Sequence, residues 1–151
     1  MTHLNAQVLV PKTHPRICFR GAIDTLEAEL LLCGSQVQEI LELARRIIRC
    51  DVLDEPVGEV VLYGLTEQEQ RKRSHFPQEY YDQPHFMPSA SDGMAIARLN
   101  RARCAAREAE LAAVEAFSDR EGNPTRPDIL RAMNRMSSML YILMIRLKKE
   151  G

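Results

Sequence analysis

The feature that most constrains this chain is a run of apolar residues near its C-terminal end. Ile129, Met133, Met136, Leu140, Leu143 and Leu147 follow one another in alternating steps of four and three. Such steps return to one side of an α-helix each time, so the segment lays a continuous apolar stripe that other helices must cover. Its boundaries are marked. Glu121-Gly122-Asn123-Pro124 is a turn signal, Thr125 is a candidate N-cap with Asp128 three residues on, Pro127 is tolerated in a first turn, and Lys148 and Lys149 complement the C-terminal dipole. The pattern predicts a helix over about 126–149.

The partners of that stripe lie upstream. A helix is expected over about 92–118, capped by Asp92, with an inward seam of Leu99, Ala102, Ala106, Ala109, Ala113 and Phe117. Alanine along a seam lets a neighbouring helix approach closely. Gln36 to Cys50 is strongly amphipathic, and Arg20 to Leu32 forms a shorter helix set off by Gly34-Ser35. A short fifth helix is expected near Thr66 to Arg73, where Thr66 and Glu69 resemble a capping box. The expected fold is all-α: a single domain over 1–151, built as a four- to five-helix bundle. The stretch over about 56–91 reads differently, as a long irregular loop. It holds Pro56, Pro77, Pro84 and Pro88 together with Tyr63, Phe76, Tyr80, Tyr81 and Phe86, five of the eight aromatic residues. That aromatic content argues for order, and loops of this length in compact domains usually serve function.

Composition removes several function classes. Across 151 residues, 20 basic side chains face 21 acidic ones, which leaves no cationic surplus for general nucleic-acid binding. No apolar run approaches the roughly 18 residues of a membrane span, and Met1 to Gln7 lacks the features of a signal peptide, so a cytoplasmic protein is expected. Cys18, Cys33, Cys50 and Cys104 form no CxxC pair, which argues against a zinc or disulfide framework. Phosphate-loop, GxGxxG, HExxH and di-iron ExxH patterns are missing.

Three groups of polar residues remain as candidates. Arg103, Arg107 and Glu110 share a helix face, read either as a solvated ion-paired surface or as an anion site whose carboxylate orients a guanidinium. Asn134, Ser137 and Tyr141 form a second stripe beside the apolar one, with charge confined to Arg131, Arg135, Arg146 and Lys149. The second stripe is either covered by a ligand or another subunit, or closes on itself as a buried hydrogen-bond cluster. Lys12, Arg16 and Arg20 lead into a helix carrying Asp24 and Glu27 and are placed to reach an anion. His75 and His85 are ten residues apart in the aromatic loop, no metal-ligand signature, and Arg71-Lys72-Arg73 reads as solvated surface.

Several stretches then match a known family in order along nearly the whole chain. They are PKTHPRICFRGAIDTLEAEL (11–30), RCDVLDEP (49–56), the helix with Arg103, Arg107 and Glu110, and RPDILRAMNRMSSMLYILM (126–144). Together they resemble the corrinoid adenosyltransferases of ethanolamine utilisation and, more distantly, the propanediol-utilisation ATP:cob(I)alamin adenosyltransferases. The resemblance implies a five-helix bundle that forms a homo-oligomer, trimer or dimer, with ATP and the corrinoid cobalamin bound at subunit interfaces. It implies transfer of the 5′-deoxyadenosyl group of ATP to cobalt(I) with release of triphosphate, assisted by Mg²⁺. A flavoprotein-type reductant and association with a bacterial microcompartment belong to the same picture.

Carried over residue by residue, the resemblance assigns Lys12, Arg16, Arg107, Glu110 and Asn134 to ATP. It pairs Asp24 with Arg103 across an interface. Phe86 is expected to close the lower face of the corrinoid, with His85, Ser137 and Tyr141 on the corrinoid side. Two departures stand out: the glycine-rich phosphate loop of the propanediol type is missing, and Ser138 stands where that type has aspartate. Some ethanolamine-type enzymes carry an N-terminal His/Cys metal motif; the resemblance begins after it, so no metal site is expected in these residues. The rival expectation is a bundle that binds or carries adenosylcobalamin without making it.

Overall fold

In the computed structural model, which describes residues 1–151, six helices account for most of the chain. A two-stranded hairpin, β1 (Thr2–His3) and β2 (Leu9–Val10), leads into α1 (Pro15–Leu31). After a 3₁₀ turn at Gly34–Val37 come α2 (Gln38–Leu53), α3 (Glu67–His75), α4 (Pro77–Tyr81), α5 (Met94–Ala116) and α6 (Pro127–Glu150). No helix is long and apolar enough to cross a membrane.

α5 is the centre of the bundle, packed between α1 and α6, and α2 closes over α1 and α6. Neighbours run antiparallel: Phe19 of α1 meets Phe117 just past α5 edge-on at 5.3 Å, while Arg101 near the start of α5 pairs with Glu29 near the end of α1 at 3.1 Å. The alanine seam behaves as expected, with Leu99, Ala102, Ala106, Ala109 and Ala113 all fully buried. The α6 stripe is buried from Ile129 through Leu140, but Leu143 and Leu147 sit at its edge while Ile142, Met144 and Ile145 are fully buried. The cause is that α2, α3, α4 and α5 all pack on α6, so the covered arc is wider than one stripe. Arg135, placed by the sequence on the charged side, is buried for the same reason.

Helix ends differ from expectation in instructive ways. α1 starts at Pro15, earlier than the predicted Arg20, because the His14 ring nitrogen accepts the Arg16 N–H at 3.1 Å and Pro15 occupies the first turn. Asp92 does not cap α5. It closes a 3₁₀ turn (Ala90–Asp92), taking the Ser89 N–H at 2.8 Å and Lys148 of α6 at 2.5 Å, and Gly93 (φ 93°) then turns the chain into the helix. Thr125 does not cap α6 either: its N–H donates to Phe117 O at 2.7 Å, which leaves Arg126 at the cap position.

The aromatic segment is not irregular throughout. α3 forms as predicted, with the Thr66 hydroxyl accepting the Glu69 N–H at 3.2 Å, and Pro77 initiates the short α4. Nor is Arg71-Lys72-Arg73 uniformly solvated. Arg73 packs over the rings of Tyr80 and Tyr81, with its guanidinium carbon 5.1 and 5.8 Å from their centroids. Together α3 and α4 lie against α6 and raise a wall beside the α5–α6 face.

Candidate functional site

Between that wall and the α5–α6 face lies a cavity of about 330 Å³. α5 contributes Arg103 and Arg107, one turn apart; α6 contributes Ser137, Ser138 and Tyr141; the end of α3 contributes Ser74 and His75; the extended chain after α4 contributes His85. The fold thus joins five of the sequence-predicted residues, Arg103, Arg107, His85, Ser137 and Tyr141, in one lining. Ser74 and His75 are the residues that sequence reasoning left out of it. Their only signal was the predicted short helix, since α3 and α4 fold the chain back and set His75 beside His85.

The cavity floor is organised by hydrogen bonds. The Arg103 guanidinium donates to Asn100 Oδ1 through Nε at 3.1 Å and Nη2 at 3.0 Å, which fixes its plane. Arg107 is exposed and has no partner in the chain. His85 and Tyr141 stack with ring centroids 5.6 Å apart and planes 16° apart. His85 Nε2 lies 2.9 Å from His75 O, and a carbonyl can only accept, so Nε2 carries the proton. In the neutral ring, Nδ1 then accepts the Tyr141 hydroxyl proton at 2.8 Å, and the phenolic oxygen accepts the Phe86 N–H at 3.4 Å. Both nitrogens of His85 are therefore engaged within the chain, and no group of three or more His, Cys, Asp or Glu side chains is placed to hold a metal ion.

The other expected residues fall around this lining. The Phe86 ring is partly buried against the core beside the cavity, with Lys148 Nζ 5.5 Å from its centroid. Asn134 donates to Glu110 Oε2 at 3.0 Å, joining α6 to α5 next to Arg107. The Ser137 hydroxyl donates back to Asn134 O at 3.1 Å, keeping its lone pairs free. Asn134 also lines a second cavity of about 610 Å³ with Arg71, Arg131 and Arg135, and His75 borders both spaces.

Lys12, Arg16 and Asp24 are not brought to this face of the chain. Lys12 and Asp24 are exposed and unpaired, on the approach to α1 and on α1 itself. Arg16 is committed elsewhere: Nε donates to Asp51 Oδ1 at 2.8 Å and Nη2 to Asp51 O at 2.9 Å, while Arg20 Nε holds the other carboxylate oxygen at 2.7 Å. Asp51 is fully buried, so this triad ties α1 to α2.

Such a face offers guanidinium groups for an anion, hydroxyls for amides, and a planar ring stack for a flat ligand. The class it defines is a helical bundle with a polar, arginine-lined cavity between α3, α5 and α6. The chain belongs to the cobalamin adenosyltransferase family, whose family model matches residues 1–147. It is similar to the corrinoid adenosyltransferase EutT of Salmonella typhimurium LT2, 38% identical over 153 residues that cover 96% of this chain and 57% of the relative. The EutT of Escherichia coli K12 is 37% identical over the same shares. This chain therefore spans little more than half the length of the curated relatives it matches. No solved structure matches it.

Proposed function

We propose that this chain is an ATP:corrinoid adenosyltransferase serving ethanolamine utilisation, moving the 5′-deoxyadenosyl group of ATP to cob(I)alamin and releasing triphosphate. The supporting observation is the convergence of Arg103, Arg107, Ser137 and Tyr141 with the two histidines in one cavity, within residues that the family match covers. Cobalt(I) is itself the nucleophile. It attacks C5′ of ATP, the C5′–O bond breaks, and the electron pair leaves with the triphosphate. The chain needs no activated serine or cysteine for this step; its tasks are alignment and stabilisation of the departing charge.

Arg107, free of any internal partner, meets the triphosphate, and the Asn134–Glu110 pair fixes the nucleotide beside it. The second Glu110 oxygen makes no bond within the chain and would be the residue's contribution to holding a Mg²⁺ ion; bound there, the ion would add positive charge against the leaving group. The His85–Tyr141 stack and the Ser137 and Ser138 hydroxyls receive the corrinoid with its rim of amides. Phe86, tied to Tyr141 through its backbone N–H, packs an apolar ring toward the lower face and excludes water from the cobalt.

The exposed, unpaired Lys12 and Asp24 suit a homo-oligomer, trimer or dimer, in which a neighbouring subunit supplies Lys12 to the triphosphate and Asp24 to Arg103. A flavoprotein-type donor would provide the electron that makes cobalt(I), and the enzyme would operate within or beside a microcompartment. The test is anaerobic incubation with ATP, Mg²⁺ and chemically reduced cobalamin. Light-sensitive adenosylcobalamin and tripolyphosphate in equal amounts are expected. A folded protein that binds ATP and yields neither is a carrier, and the proposal fails.

A further inference from the structure

The larger cavity beside the site presents an unbalanced charge. Arg135 lines it with only 7% of its surface exposed, and its guanidinium meets two neutral acceptors, Glu67 O at 3.0 Å and the Asn134 amide oxygen. Neither nearby carboxylate forms an ion pair with it, although Glu67 and Glu110 both favour its charged form from a distance. Glu67 is engaged by Arg131 at 3.2 Å, and Glu110 holds Asn134. Burial of a cation without a counter-ion is expensive. Burial, and then the nearby Arg71, push the Arg135 guanidinium below its ordinary range. Arg71 lines the same cavity and has no ion pair of its own, so three guanidinium groups face the single carboxylate of Glu67.

We propose that this cavity is a phosphate subsite in which Arg71 and Arg135 take an anionic phosphate group of a substrate held in the adjoining cavity. The inference rests on reading that adjoining cavity as the adenosyl-transfer site. His75 lines both spaces, so the two cavities are neighbours that meet at this residue. At about 610 Å³ the second cavity has room for a phosphate and the groups that flank it. Two planar forks on one phosphate give directional, charge-assisted hydrogen bonds. Two sources fit this chemistry: the triphosphate of ATP and the phosphodiester in the nucleotide loop of cobalamin.

The experiment is calorimetric titration of the wild-type chain, Arg71→Gln, Arg135→Lys and the control Lys72→Gln with ATP, with cobalamin, and with cobinamide, which lacks the phosphodiester. Arg71→Gln should weaken one phosphate-bearing ligand about tenfold. Arg135→Lys, which keeps the charge and loses the fork, should weaken the same ligand, and Lys72→Gln should weaken none. Loss for ATP alone assigns the triphosphate. Loss for cobalamin with cobinamide unchanged assigns the phosphodiester. Affinities within twofold of wild type for both arginine variants overturn the subsite, as does equal weakening of cobinamide. Product formation measured in parallel keeps the two readings apart. Phosphate-dependent binding without adenosylcobalamin sinks the transferase alone, whereas turnover with unaltered binding in Arg71→Gln sinks the subsite alone.

Discussion

Two arginine-rich regions of this bundle use the same side chain in opposite ways. Where α1 meets α2, Arg16 and Arg20 close on the fully buried Asp51, and nearby Arg126 is held by Asp128 at 3.0 Å and Asp54 at 3.6 Å. On the α5–α6 face and the α3 wall beside it, Arg107 and Arg71 have no carboxylate, Arg103 rests on a neutral amide, and Arg135 is buried beside neutral oxygens. A neutralised guanidinium is a structural tie; under the proposed function, one left without a counter-ion in these cavities meets an anion that arrives from outside. The near-zero net charge of the chain hides this division.

Substitutions can break the contrast. The largest effect is expected for Asp51→Ala, which strands two guanidinium groups at the α1–α2 junction. It should cost about 3–5 kcal/mol, read as a lowered denaturation midpoint, while protein that remains folded keeps its substrate affinities. A stability close to wild type would remove the structural role of the triad. Arg107→Ala should do the reverse. It should lower kcat/KM by about 30- to 100-fold, the worth of charge-assisted hydrogen bonds to a developing anion, with an unchanged melting temperature. A silent Arg107→Ala would return Arg107 to the solvated surface.

Smaller effects sharpen the same distinction. The Arg126 guanidinium, more than any other group, holds the Asp128 carboxyl down to about 2, with the Val57 N–H at 2.9 Å adding to it. A carboxyl depressed in the folded state stabilises above its unfolded pKa and loses that contribution as pH falls toward about 2. Asp128→Asn should therefore cost about 2 kcal/mol near neutrality, and the gap from wild type should close in acid unfolding curves near pH 2. A gap independent of pH would contradict the assignment. Tyr141→Phe removes one hydroxyl from the His85–Phe86 network, so about 1 kcal/mol is expected, seen as a severalfold higher KM for the corrinoid with the KM for ATP unchanged. Equal changes in both would detach Tyr141 from the corrinoid side.

Periodicity carried the long helices because their apolar spacing reports the core directly. The alanine seam of α5 and the first half of the α6 stripe lie where the sequence put them. What it missed depends on contacts distant along the chain. Asp92 looks like a helix cap until Lys148 of α6 claims it, and Arg135 looks solvated until α3 folds over α6. The cavity was half legible. Arg103 with Arg107, and Ser137 with Tyr141, follow from helical spacing, whereas the approach of His75 to His85 needs the α3–α4 reversal. Arg16 shows the converse limit, since nothing local in the sequence announces that Asp51 binds it.

The most direct test of the division between neutralised and free arginines is a crystal structure of the protein with ATP and cobalamin bound. The account predicts the triphosphate within hydrogen-bonding distance of Arg107 and the corrin ring against the His85–Tyr141 stack. Nucleotide seated instead in the cleft of Arg16, Asp51 and Arg126, with the α5–α6 cavity empty, would contradict it.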